Sequence, residues 1–204
     1  MRRDSTTIVV LTGQIGEGLL AQAAMSLNIS VARLPDTRDA SASGQQVRPQ
    51  AWDVSTAALR SAAGRSSGYV LLTADPLADL AQAWQAMWQA GAPSDAAAGF
   101  EQHAADALDA WRAKRFELPD YYLVVADSLA AEEGPDWYLG PLRAARPRRI
   151  ALAVSGGAGR ADPAAPVLDT LRSLEHGPWW PPLDEVIEGA RRFYAGGVIA
   201  AGAP

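Results

Sequence analysis

The opening segment, residues 7–20, constrains the fold more than any other part of the chain. Its sequence is TIVVLTGQIGEGLL, in which residues 8–11 form a short, β-branched and wholly apolar run. Such a run is typical of a strand that is covered on both faces. It is interrupted by Gly13, Gly16 and Gly18, and beyond them the apolar residues recur at helical spacing. The segment therefore predicts a strand, a tight glycine turn and a helix, as in the first unit of a nucleotide-binding α/β sheet.

Further strand-like runs alternate with helical segments along the rest of the chain. These strands are predicted at residues 29–34, 68–73, 121–126 and 149–154. Short crossovers between such strands force parallel neighbours and right-handed connections. We therefore predict a single three-layer α/β domain over residues 1–195, with a five-stranded, mostly parallel sheet and helices on both faces. Rossmann-like order 3-2-1-4-5 and flavodoxin-like order 2-1-3-4-5 both fit, and residues 196–204 are predicted to form a flexible tail.

Composition excludes several classes of function. The 204 residues carry a net charge of -5, whereas a nucleic-acid-binding protein usually has a basic surplus. There is no cysteine, which excludes disulfides, thiolate catalysis and cysteine-based metal sites. We find neither a secretory apolar region nor a run long enough to cross a membrane, so we expect a cytoplasmic protein. The single lysine, Lys114, and the abundant alanines indicate a high-GC genome.

The glycine turn is the first candidate site. Its pattern, T-G-x-x-G-x-G, resembles the turn of the short-chain dehydrogenases, TGxxxGxG, with one residue fewer. The resemblance implies a nucleotide or dinucleotide held by Thr12, Gly13, Gly16 and Gly18. Asp36 would then be the acid that binds the ribose.

Other nucleotide and nucleophile motifs are absent from the sequence. The dehydrogenase pair Tyr-x-x-x-Lys is missing, because residue 110, four positions before Lys114, is an alanine. A P-loop is excluded because no Gly-Lys-Ser/Thr occurs. Neither Ser128 nor Ser155 lies in a Gly-x-Ser-x-Gly elbow.

Acids and histidines at the predicted strand ends have structural explanations. Asp75, which precedes Pro76, is interpreted as a helix N-cap, and Asp127 is interpreted in the same way. His103 and His176 are isolated, and no His/Asp/Glu cluster has the spacing of metal ligands. We therefore assign no catalytic or metal-binding residue.

Aromatic residues in turns are the second candidate site. Trp137 and Tyr138, and likewise Trp179 and Trp180, lie in segments rich in glycine and proline, and Arg143 follows the first pair. Trp, Tyr and Arg are enriched in interface hot spots, so these five residues are predicted to bind a partner. The alternative is that the loop tryptophans fold back over the sheet edge.

Two functional hypotheses follow, and a third ranks behind them. The first is a non-catalytic Rossmann-like module that binds a protein partner or forms a homo-oligomer, as a component of a larger complex. The alternative is a nucleotide-binding domain that uses the glycine turn. The third is a Rossmann-like hydrolase or transferase that uses Asp75, Asp127 or Ser155.

Overall fold

The structure is a computed structural model that describes residues 6–26, 28–32, 50–62, 67–89, 94–126, 136–154 and 164–201. Its strands are β1 (Thr7–Gly13), β2 (Ile29–Ala32), β3 (Tyr69–Leu72), β4 (Tyr121–Ala126) and β5 (Ile150–Val154). Its α-helices are α1 (Glu17–Ala24), α2 (Ala51–Ala62), α3 (Ala78–Gln89), α4 (Ser94–Arg112), α5 (Arg143–Ala145), α6 (Ala165–Arg172) and α7 (Leu183–Ala201). A π-helical turn, Tyr138–Leu142, leads directly into α5, and a 3-10 turn, Pro147–Arg149, leads into β5.

All five strands are parallel, and their order across the sheet is β2-β3-β1-β4-β5. The prediction of a three-layer α/β fold around a parallel sheet is therefore confirmed. The strand order differs from both orders that fit the sequence, because the chain reaches the sheet edge at β2 and then returns through α2 to place β3 beside β1. In the centre, Val10 pairs with Leu72 of β3 on one side and with Tyr122 of β4 on the other.

Each face of the sheet has its own core and its own helices, since successive strand side chains point to opposite faces. Helices α1 and α6 cover one face, which we call the α1 face. Helices α2, α3, α4 and α7 cover the other, the α7 face, together with segment 138–145. The α1 face includes Val9, Leu11, Leu19, Leu20 and Leu171. The α7 face includes Val10, Trp84, Phe100, Tyr122 and Ile187.

The strand limits agree with the sequence to within two residues, whereas several helix limits differ. Strand β4 spans the predicted residues. Helix α3 begins at Ala78, after a turn, rather than directly at Pro76. Helix α7 continues to Ala201 and so extends into the segment predicted as a tail. A glycine inside a helix costs only about 1 kcal/mol, which cooperative elongation can outweigh.

One further property of the helices concerns membranes. Within the described part of the chain, no helix is long and apolar enough to cross one.

Gly13 is the glycine that the fold requires. Its φ is +88°, and a Cβ at this position would overlap the carbonyl oxygen of Val125 in β4. We expect Gly13→Ala to lower the free energy of unfolding by more than about 1 kcal/mol, because alanine is strained at positive φ. Gly16→Ala is the matched control, since a Cβ there meets nothing within 4 Å. Urea unfolding of both variants measures the difference, and equal stabilities would contradict the expectation.

Candidate functional site

The carboxyl ends of β1, β3 and β4 meet at one edge of the sheet. From β1 the chain enters α1 on one face, whereas from β3 and β4 it continues onto the α7 face. Ligands of doubly wound sheets bind where neighbouring connections diverge in this way. Residues 12–18 and Asp75 lie at this edge. The predicted candidates Asp127, Ser128 and Ser155 fall outside the described residues.

In the glycine turn, two backbone N–H groups already donate hydrogen bonds within the protein. Gln14 N–H donates to Val125 O at 2.8 Å, and Ile15 N–H donates to Gly13 O at 3.0 Å. Gly16 is the N-cap of α1 and has no side chain to accept the N–H groups of the first helical turn. Gly16 and Gly18 are both exposed. The N-terminus of α1, which has no side-chain cap, therefore lies at the edge of the sheet where ligands of such folds bind.

Two of the predicted cofactor residues, Thr12 and Asp36, are not part of the exposed glycine turn that the structure describes. The Thr12 side chain is 7% exposed, and its hydroxyl has no hydrogen-bond partner among the described residues. Because Thr12 lies two residues after Val10, it points to the α7 face, away from α1. Asp36, the predicted ribose ligand, lies outside the described residues. The structure thus groups Gly13, Gly16 and Gly18 but directs the Thr12 side chain elsewhere.

The spacing of the turn contains a signal that sequence reasoning missed. Gly13 and Gly18 are five residues apart, like the outer glycines of the P-loop pattern G-x-x-x-x-G-K-S/T. Leu19 and Leu20 occupy the positions of the lysine and the hydroxyl residue, and both are buried in the core of the α1 face. The two side chains that would bind phosphate and Mg²⁺ are therefore replaced by apolar packing.

A buried carboxylate lies at the same edge, just beyond β3. Asp75 is 6% exposed, and three groups donate hydrogen bonds to it. Leu77 N–H and Tyr122 O–H both donate to Oδ1 at 2.9 Å, and Tyr138 O–H donates to Oδ2 at 2.6 Å. The bond to Leu77 N–H caps the turn before α3, so Asp75 lies three residues before the first helical residue and is not the N-cap that the sequence predicted. The tyrosines, which no sequence pattern connected to Asp75, join β3, β4 and the π-helical turn through it.

Burial sets the protonation of this cluster. It raises the pKa of the Asp75 carboxyl, and the hydrogen bonds from Tyr138, Leu77 and Tyr122 offset that rise only in part. Burial and the nearby Asp75 charge also raise the pKa values of the Tyr122 and Tyr138 hydroxyls well above 10. Asp75 and the two tyrosine hydroxyls that donate to it are largely buried, so this cluster stabilises the fold and is poorly placed to meet a substrate.

Two of the predicted partner-binding residues lie in the core. Trp137 is 1% exposed and packs edge-on against Trp84, with ring centroids 6.0 Å apart. Trp180 is 5% exposed, and its indole N–H donates to Pro119 O at 2.7 Å. Neither ring is available to a partner, which corrects the expectation for both. Truncating Trp137 would open a cavity costing about 3–5 kcal/mol, so Trp137→Ala is not a test of binding.

The other predicted partner residues are at least partly accessible. Arg143 is exposed, and Tyr138 is partly buried because its hydroxyl reaches Asp75. Trp179 is 43% exposed. Its neighbour in sequence, Trp180, points inward, so the pair divides between core and surface.

The Trp179 ring is held in a defined position. The Arg149 guanidinium lies 5.0 Å from the ring centroids of both Trp179 and Tyr121. Arg149 also donates to the carbonyl oxygens of Gly177 and Pro178, at 2.7 and 3.1 Å. Arg146 Nε donates to Trp179 O at 2.6 Å. We call Trp179, Arg146 and Arg149 the Trp179 surface.

A groove adjoins this surface. It has a volume of about 760 Å³ and lies between α7 and segment 141–146. Arg146 belongs to both the groove and the Trp179 surface, and Pro181 lines the groove two residues after Trp179. We call this feature the α7 groove. It mixes arginines and acids with small apolar residues, and within the described ranges no group of three metal-ligating side chains occurs.

Comparison with protein-family models, curated proteins and solved structures found no match to this chain.

The pH dependence of stability tests the Asp75 cluster. In the folded state Asp75 keeps its proton to a higher pH than the unfolded chain, which releases it near pH 3.9. The stabilisation is therefore complete below that pH and is lost as pH rises through the raised native pKa. Asp75→Asn does not ionise, so we expect its free energy of unfolding to lack this decline. Urea unfolding of both proteins from acid to neutral pH measures it, and parallel curves would contradict the assignment.

Proposed function

We propose that this protein is a non-catalytic α/β module that binds other proteins through the Trp179 surface and the α7 groove. One observation carries the proposal: the exposed Trp179 ring is fixed in place before any partner arrives. Arg149 stacks against it, and Arg146 holds its backbone carbonyl. Exposed apolar rings combined with arginines are the composition of interface hot spots.

The energetics of a fixed indole support this role. Burying the exposed part of the Trp179 ring would contribute about 2 kcal/mol. Ordering a free side chain on binding costs about 0.5–1.5 kcal/mol. The Trp179 side chain is already ordered by its contact with Arg149, so little of this cost remains when a partner binds. A rigid tryptophan beside a groove can therefore anchor a partner efficiently.

The titratable groups of the described residues give less support to a catalytic function than the Trp179 surface gives to protein binding. The most perturbed carboxylate, Asp75, is buried and bonded on both oxygens. His176 is exposed and lies near the Trp179 surface rather than near Asp75. The nucleophile candidates after β4 and β5 are outside the described residues, so the third hypothesis gains no support from geometry.

Truncation of the indole tests the proposal. Immobilised wild-type protein and Trp179→Ala are compared for capture of proteins from an extract of the source cells, quantified by mass spectrometry. We expect at least one protein to be captured about tenfold less by Trp179→Ala. Met25→Ala is the matched control, because Met25 is 83% exposed and lies at the C-cap of α1, outside the Trp179 surface and the α7 groove. The proposal is wrong if every captured protein is retained equally by all three, provided that their melting temperatures agree.

A second candidate function is binding of a nucleotide or another anionic ligand at the glycine turn. Its support is the uncapped start of α1 at the ligand-binding edge of the sheet, with Gly16 and Gly18 exposed beside it. Glu17 at the first helical position opposes an anion, and Leu19 replaces the P-loop lysine. This candidate therefore ranks below protein binding.

A thermal shift assay tests the second candidate. The panel contains NAD(H), NADP(H), ATP, GTP, FMN, S-adenosylmethionine and cyclic nucleotides. A ligand at about 100 times its dissociation constant stabilises the native state by about 2.7 kcal/mol, which raises the melting temperature by several degrees. We expect Gly16→Val to fold, since its Cβ site is open, and to lose that shift. No shift of the wild-type protein with any compound would remove this candidate.

A further inference from the structure

We propose that the outer face of α7 pairs with the same face of α7 in a second copy of this chain. The two helices would run antiparallel around a twofold axis close to Gly189. The inference rests on the proposed protein-binding role of the α7 groove, for which it names one partner.

The residue pattern of α7 separates an inner from an outer face. Leu183, Val186, Ile187 and Ala190 are buried in the core of the α7 face. The outer face is formed by residues at spacings of three, four and seven positions, which is one side of a helix. It comprises Glu185, Glu188, Gly189 and Arg192.

Charge is distributed unevenly along this outer face. Glu185 lies in the first turn, and Arg192 lies seven residues later, about 10 Å further along the axis. Both side chains are exposed, and neither forms an ion pair with any residue that the structure describes. Arg191 differs, because it is bound to Glu101 at 2.6 and 3.0 Å and to Glu188 at 3.2 Å. Glu185 and Arg192 are thus the charges that remain available to a partner.

An antiparallel arrangement makes this pattern self-complementary. A twofold axis between residues 188 and 189 places Glu185 of one copy opposite Arg192 of the second copy. The same operation places Arg192 of the first opposite Glu185 of the second, so two ion pairs form. A C2 interface repeats every contact in this way. A parallel arrangement would instead place like charges opposite each other, which is destabilising.

The centre of the face permits close approach of the two helices. Gly189 has no side chain, and nothing lies within 4 Å of its Cβ position. Packed helices need an axial separation of 8–10 Å, which small residues at the crossing point allow. Glu188 also lies at the crossing, where Arg191, which it shares with Glu101, offsets part of its charge. Ala144 and Ala145 line the groove beside α7 and add apolar contact area.

Charge reversal tests the pairing with the full chain. Sedimentation velocity gives the dimer dissociation constants of the wild-type protein, Glu185→Arg, Arg192→Glu and the double variant. Each single reversal turns both ion pairs into repulsive contacts, so we expect dimerisation to weaken by about tenfold or more. The double variant restores both pairs, and so does an equal mixture of the two single variants. Arg60→Glu, an exposed reversal on α2, is the control and should leave the dimer unchanged.

Each other outcome overturns the inference. A wild-type protein that remains monomeric at its highest soluble concentration shows that α7 does not pair. Single variants that stay dimeric show that another face is used. Monomeric single variants that neither the double variant nor the mixture rescues show that Glu185 and Arg192 are not opposite each other. The Trp179→Ala capture experiment is read separately, so the proposed protein-binding function can stand where self-pairing fails.

Discussion

The buried carboxylate of Asp75 is the interaction on which the α7 face depends. A carboxylate removed from water is costly unless donors surround it, and here three donors come from three parts of the chain. Leu77 N–H is local, whereas Tyr122 lies in β4 and Tyr138 begins the π-helical turn. These bonds therefore set where segment 138–145 lies against the sheet. This segment forms one wall of the α7 groove. The shape of the groove therefore depends on the hydrogen bonds that Asp75 accepts.

Aromatic rings complete the same layer because its helices are rich in alanine. Ala81 of α3 and Ala104 and Ala107 of α4 are buried in this core, and large aromatic rings occupy the volume that these small side chains leave. Trp84 contacts Trp88, Trp137 and Phe193 at centroid separations of 5.4–6.2 Å. This explains why a tryptophan in a loop rich in glycine and proline became a core residue. The composition of a turn describes its backbone, whereas the burial of its side chains depends on how much volume the neighbouring helices leave empty.

Sequence patterns predicted the local features well and the distant ones poorly. The apolar run of β4 depends on neighbouring residues, and its limits were located correctly. Strand order depends on pairings such as Thr7 with Tyr69, which no local pattern encodes. In the candidate site, the glycine turn was visible because its signal is contiguous. The tyrosines that bind Asp75 lie 47 and 63 residues away along the chain, and only the fold brings them together.

The two candidate sites lie at opposite ends of the sheet, and this separation has a functional consequence. The glycine turn follows the carboxyl end of β1. Trp180 is anchored to Pro119, just before β4, so Trp179 lies at the amino ends of the strands. A six-residue strand spans roughly 20 Å, too far for a ligand on the turn to touch the indole directly. Occupation of one site therefore leaves the other accessible, and any influence between them would have to pass through the sheet and its Asp75 cluster.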